Sequence, residues 1–156
     1  MIPRVPKPAR GAAQVRVYVD TSVLVALIVP EAHSAAVARW YGRTRAELVS
    51  ATWCVIEFAS ALGLKQRSGQ IDAAQARDAW ERFERLATND LLLLPPIAAN
   101  FQRAAGLALD APNALRAGDA LHLACAEQAG AKRIATLDAV LGRNALRLKI
   151  KAVAFS

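Results

Sequence analysis

The stretch Val17–Leu27, VYVDTSVLVAL, sets one acid, Asp20, between two runs of apolar and β-branched residues. The run before it reads as a buried strand and the run after it as a helix, so Asp20 stands where one hands over to the other. A carboxylate in apolar surroundings needs a hydrogen-bonding partner, a cation or an opening to water. Capping the following helix is the simplest of these roles, since Asp at the first boundary position accepts a bond from a free backbone N–H.

Outward from this stretch, short β-branched runs alternate with longer segments of helical period, the pattern of an α/β fold with a mostly parallel sheet. Strands are predicted at Val15–Val19, Glu47–Ser50, Leu91–Leu94, Arg133–Ala135 and Lys151–Ala154. Helices are predicted near Thr21–Val29, His33–Thr44, Thr52–Ser68, Ala73–Thr88, Ile97–Leu109, Ala117–Ala129 and Ala139–Ala145. Asp72 before the fourth helix is a start signal, and Gly69 and Gly130 sit where helices should stop. In DAAQARDAWERFERLA the acids Asp78, Glu81 and Glu84 interleave with Arg77, Arg82 and Arg85, a solvated face with helical ion pairs.

A chain of 156 residues with 54% hydrophobic residues has the material for one core. Residues 15–156 are expected to form a single domain, and the Pro-rich residues 1–14, with Arg4, Lys7 and Arg10, a flexible basic tail. With 20 Lys and Arg against 13 Asp and Glu the net charge is +7, which suits a polyanionic partner such as RNA or DNA. Cys54 and Cys125 lack zinc or redox spacing and read as buried free thiols, consistent with a cytoplasmic protein. The longest apolar run, Val23–Val29, is far below the roughly 18 residues a membrane span needs, so no membrane partner is expected.

Most acids lie at turns, helix starts or mixed-charge stretches, but Asp20, Glu57 in WCVIEFASAL, Asp119 in LRAGDALHLACA and Asp138 in IATLDAVL stand among apolar residues. Asp20 and Asp138 each follow a strand and open a helix, Asp119 starts a helix, and Glu57 lies in the first turns of another. Ligands of open parallel sheets bind outside the carboxyl ends of the strands, where helix N-termini gather, so the four can share one pocket. Like charges raise one another's pKa, and a divalent cation relieves the conflict. Oxygen-only ligands suit Mg²⁺ or Mn²⁺ rather than zinc. Taken singly, Asp20 and Asp138 also fit as helix caps and Asp119 as a first-turn acid favoured by the helix dipole. Glu57 lies beyond any cap.

These four segments resemble the PIN domain family, specifically its VapC-type toxins. VYVDTSVLVAL is similar to the family's opening strand and Asp-Thr-Ser turn, and VIEFASAL to its Glu-bearing helix. LRAGDALHLACA resembles its Leu-Arg-Ala-x-Asp-Ala-x-His-Leu-Ala segment, and TLDAVL its Thr-x-Asp-x-x-Leu. The likeness runs from Val15 to about Phe155, while the basic residues ahead of Val15 depart from the family's usual start close to the first strand. The resemblance implies a three-layer α/β/α sandwich around a mostly parallel sheet of four to five strands. It further implies an Mg²⁺- or Mn²⁺-dependent endoribonuclease of a type II toxin–antitoxin pair, with Asp20, Glu57, Asp119 and Asp138 as the catalytic metal-binding acids. Hydrolysis by a metal-activated water would leave a 5′-phosphate and a 3′-hydroxyl and needs no protein nucleophile. A cognate antitoxin, an RNA substrate and a homodimer are the partners it implies.

Around the acids, the hydroxyls of Thr21 and Ser22 read as helix caps or as donors to an acid or a metal-bound water, with capping favoured for Thr21 and the two roles even for Ser22. Thr136, two residues before Asp138, reads as a strand threonine with the same supporting potential. Arg116, Asp119 and His122 are spaced by three and share a helix face, where Arg116 would hold a phosphate or pair with Asp119. His122 reads as a satisfied, partly buried histidine rather than a general base. Lys132, Arg133, Arg143, Arg147, Lys149 and Lys151 gather charge late in the chain, and Trp40, Tyr41, Trp53 and Trp80 read as core or interface. Two other readings compete: a haloacid-dehalogenase-like hydrolase, which wants a second acid where Ser22 stands, and a non-catalytic PIN-like module that binds RNA or protein.

Overall fold

In β1 (Arg16–Val19) successive side chains go to opposite sides of the sheet, Val17 and Val19 into one buried cluster and Tyr18 into another. This split sets the layering. The computed structural model describes residues 15–156, so the tail expected over residues 1–14 lies outside the described residues.

After β1 the chain forms α1 (Thr21–Ile28), α2 (Ser34–Arg43), β2 (Glu47–Ala51), α3 (Trp53–Arg67), α4 (Ala73–Asn89) and β3 (Leu91–Leu94). It returns through α5 (Ala98–Leu109), α6 (Ala117–Gln128), β4 (Arg133–Ala135), α7 (Ala139–Arg147) and β5 (Lys151–Ala152). The strand order is β3-β2-β1-β4-β5 and every pairing is parallel, so the expected α/β architecture holds. Among the described residues the sheet has five strands, the fifth shorter than the expected Lys151–Ala154: only Lys151 and Ala152 pair, and they are exposed at the edge.

One layer packs Val17, Val19, Leu48 and Ala135 against α1 to α4, with Phe58 and Phe83 stacked at 4.3 Å between ring centroids. The other packs Tyr18, Val49 and Ile134 against α5, α6 and α7. The central strands β1 and β2 are buried on both faces, which is why they read as largely apolar runs. Start and stop signals behave as expected: Asp72 and Gln75 form a reciprocal capping box on α4, and Gly69 (φ 74°) and Gly130 (φ 66°) follow α3 and α6 in left-handed conformation. α2 starts one residue later than expected, at Ser34.

The chain runs outward from β1 through β2 to β3, then returns to place β4 on the other side of β1. The carboxyl ends of β1 and β4 thus form a topological switch point, the place where parallel sheets open a crevice for ligands.

Candidate active site

Asp20 sits at that switch point and is 4% exposed. Its backbone N–H donates to the Ala135 carbonyl (3.0 Å), tying the end of β1 to β4. Its Oδ1 accepts from the Ser22 backbone N–H, which caps α1, and its Oδ2 accepts from the Thr136 hydroxyl. Thr136 Oγ1 in turn accepts from the Asp138 N–H (3.0 Å), and Asp138 caps α7 by accepting from Val140 (2.8 Å) and Leu141 (3.0 Å) through Oδ1. Capping and site-lining are therefore the same act for Asp20 and Asp138: the bonds that satisfy the helix also fix the direction of each carboxylate.

Glu57 projects from α3 into the same place. Its Oε2 accepts from the Thr21 hydroxyl and from His122 Nε2 (2.5 Å). An ionised carboxylate only accepts, so Nε2 carries the proton of this bond. The other ring nitrogen, Nδ1, meets the Tyr18 hydroxyl at 2.7 Å, and Tyr18 Oη also accepts from the Ala51 N–H (3.2 Å). Burial pushes the Tyr18 phenol well above its usual value, so it stays a neutral hydrogen-bonding group. Burial also pushes the Glu57 carboxyl up, but its contacts with His122, Thr21 and Trp53 outweigh this and hold it below the usual carboxylate range. The Trp53 indole N–H, at the same carboxylate, makes no hydrogen bond of normal geometry. Gly118 leaves room for this carboxylate: a Cβ at that position would lie 2.8 Å from Glu57 Oε1 and displace it.

Asp119 differs from the other three. It stands in the first turn of α6, and among the described residues no side chain or backbone group donates to it. Burial raises its pKa, and the charges of Asp138, then Asp20, raise it further, with a smaller contribution from Glu57. All four acids line one open cleft of about 530 Å³, together with Thr21, Ser22 and His122.

Among the described residues no three His, Cys, Asp or Glu side chains close tightly on a common point, so the residues alone would not encage an ion. They fit one that keeps several waters and takes only one or two direct carboxylates, as Mg²⁺ does. The donors are all oxygens, and the undonated, up-shifted Asp119 shows where negative charge is uncompensated.

Three sequence-based expectations change. The Thr21 hydroxyl does not cap α1; Asp20 does, which frees Thr21 to donate to Glu57. Ser22 Oγ accepts from the Leu137 N–H (3.0 Å), pinning the loop after β4 rather than capping. Arg116 is the residue before the first turn of α6; it is exposed, outside the cleft lining and, among the described residues, not paired with Asp119. Thr136, read from sequence as a strand threonine with supporting potential, donates to Asp20 and accepts from the Asp138 N–H. His122 is buried and satisfied as expected, at 2% exposure, yet its partner is a cleft acid, which sequence reading missed. The spacing of three from Asp119 was the available signal, and Gly118 beside it was another.

Comparison with known proteins follows the same lines. No curated protein sequence matches closely enough to count as a relative. Among solved structures, the chain resembles VapC20 of Mycobacterium tuberculosis, described as a sarcin-ricin loop cleaving toxin (TM-score 0.67, 17% identity, covering 82% of this chain and 94% of that one). It also resembles PAE2754 of Pyrobaculum aerophilum (TM-score 0.62, 24% identity, 97% and 93% covered) and FitAcB of Neisseria gonorrhoeae (TM-score 0.64, 18% identity, 88% and 96% covered). At these identities the likeness is one of fold. Sequence decides the family: residues 17–146, a span that holds all four acids and their supporting groups, match the PIN domain, and the chain belongs to that family.

Proposed function

We propose that this protein is a divalent-cation-dependent endoribonuclease acting as the toxin of a type II toxin–antitoxin pair. The observation that carries the reading is Asp119: a half-buried carboxylate with no donor among the described residues, facing three other acids. A cluster built only to stabilise the fold would satisfy this group, whereas a cation site leaves it open.

Asp119 would be the principal direct ligand, with the remaining lone pairs of Asp20, Asp138 and Glu57 directed at the cation or its waters. When bound, Mg²⁺ or Mn²⁺ neutralises charge on the attacking and leaving oxygens of the phosphodiester and lowers the pKa of the attacking water. The chain itself does the positioning. Thr136 and the Ser22 N–H hold both oxygens of Asp20, Thr21 and His122 hold Oε2 of Glu57, and the α7 N-terminus holds Asp138. Supporting bonds of this kind are worth 10- to 100-fold in metal affinity. The toxin description of VapC20 and the resemblance of the four motifs support the toxin role, and with it an antitoxin as protein partner. A homodimer and a cytoplasmic location belong to the same proposal; among the described residues no helix is long and apolar enough to cross a membrane.

The test is an RNA cleavage assay with Mg²⁺ or Mn²⁺, with chelator, and with Asp20→Asn. Cleavage should require the cation, yield 5′-phosphate ends and be lost in Asp20→Asn. Cleavage that persists in chelator, or in Asp20→Asn at the parent's rate, would falsify the reading.

A further inference from the structure

The acid cleft has an electrostatic difficulty with the substrate proposed for it. Five carboxylates line it, and its one lysine, Lys65, is paired with Glu31 (2.6 Å), so until a cation is bound the cleft repels a polyanion. Initial capture of RNA must come from elsewhere. Arg116, the cation that sequence spacing offered, lies outside the cleft.

A group of exposed cations lies at the other end of the sheet. All strands are parallel, so their amino ends form one edge, opposite the carboxyl ends that carry Asp20 and Asp138. Arg133 and Lys151 begin β4 and β5 and are register partners, Lys132 precedes them, Arg43 ends α2 and Arg45 lies between α2 and β2. All five are exposed. Among the described residues none of them makes an ion pair. The acids at this edge are already engaged: Glu47 pairs with Arg16 (2.8 Å), and Asp90 accepts from the Tyr41 hydroxyl.

Arg43, Arg45 and Arg133 also rim a second cleft, of about 630 Å³, with half-buried Trp40 in its wall. The indole packs against Phe155 edge to face at 5.5 Å, which holds the ring in place. A groove with a cationic rim and a fixed aromatic wall matches single-stranded nucleic acid, whose phosphates follow the charges while a base stacks.

We propose that this amino-end edge of the sheet is a capture surface for the RNA backbone, separate from the acid cleft; it rests on the reading of RNA as substrate. The four residues of β1 put the two edges on the order of 15 Å apart, beyond a Debye length of about 8 Å at physiological salt. The surface therefore acts independently of the charge state of the acids, and only RNA long or folded enough to reach both edges uses it.

The test reads binding without cleavage. In the full chain carrying Asp20→Asn, with chelator present, association of a labelled oligouridylate of about 30 nucleotides is followed by fluorescence anisotropy across a salt series. Adding Arg45→Glu and Arg133→Glu should weaken binding at least tenfold and lower the slope of log K against log salt by roughly 1.4, two contacts at about 0.7 each. Arg67→Glu with Arg77→Glu, the same charge change on α3 and α4, should cost much less. The neutral pair Arg45→Gln and Arg133→Gln, with an unchanged thermal melt, should show a smaller loss of the same kind. Equal losses from the two Glu pairs, or none from the first, overturn the proposal. So does loss of oligoglutamate binding with RNA binding intact, which would make the surface a site for an acidic protein segment. RNA binding lost here with cleavage absent in the assay above would overturn the nuclease reading and leave this surface standing; the reverse pattern would overturn this surface alone.

Discussion

At the scale of single residues, the site is a contest between burial and pairing, and each acid resolves it differently. Asp20, Asp138 and Glu57 are held by donors, while Asp119 is not. Because the folded-state pKa of Asp119 is raised, the native state holds its proton more tightly than the unfolded chain. Stability is then lost as pH climbs from the ordinary value of 3.8 through the raised one, and the full penalty applies at neutrality. Without metal, Asp119→Asn should melt a few degrees higher than the parent at pH 7, with the gap closing below pH 3.8, as calorimetric scans across pH would show. Glu57 has the opposite sign: its lowered pKa adds stability above the unfolded value, and that stability is lost as pH falls through the folded one. Removing the donor with His122→Ala should flatten this acid-side dependence and weaken Mn²⁺ binding by about 10- to 100-fold, while His122→Gln, which keeps an N–H donor, recovers part of the affinity. Equal Mn²⁺ affinity in parent and His122→Ala would show that the imidazole only fills space.

At the scale of elements, the helix starts carry the acids and the helix bodies carry the stability. Phe58 lies one residue from Glu57 on α3 but faces the opposite way, stacked on Phe83 and fully buried. Phe58→Ala should therefore cost about 3–5 kcal/mol in denaturant melts. Asp72→Ala removes only the α4 capping box and should cost about 1 kcal/mol without touching metal affinity. Gly118→Ala tests the packing of α6 on α3: its Cβ would meet Glu57 Oε1 at 2.8 Å, so metal binding should fall more than stability does. Element types were legible because the inner parallel strands are mostly apolar and α1, α4 and α7 begin at Asp20, Asp72 and Asp138. Arg116 was misread because equal spacing implies a shared face only inside a helix, and this residue precedes the first turn.

At the scale of the whole molecule, the parallel sheet sorts charge: four acids meet at the carboxyl ends of the strands, and at the amino ends stand cations that make no ion pair among the described residues. The convergence of the four acids was readable in advance, because each stands against its apolar surroundings at a strand-to-helix junction or an early helical turn. The Tyr18–His122–Glu57 connection was not, since Tyr18 and His122 are 104 positions apart and a hydrogen bond between them leaves no periodic trace. Everything proposed for the cleft depends on its taking a divalent cation. Isothermal titration of Mn²⁺ into the parent and into Asp119→Asn tests that directly: saturable binding in the parent and its loss in the variant are predicted, whereas identical isotherms for the two proteins would contradict the account.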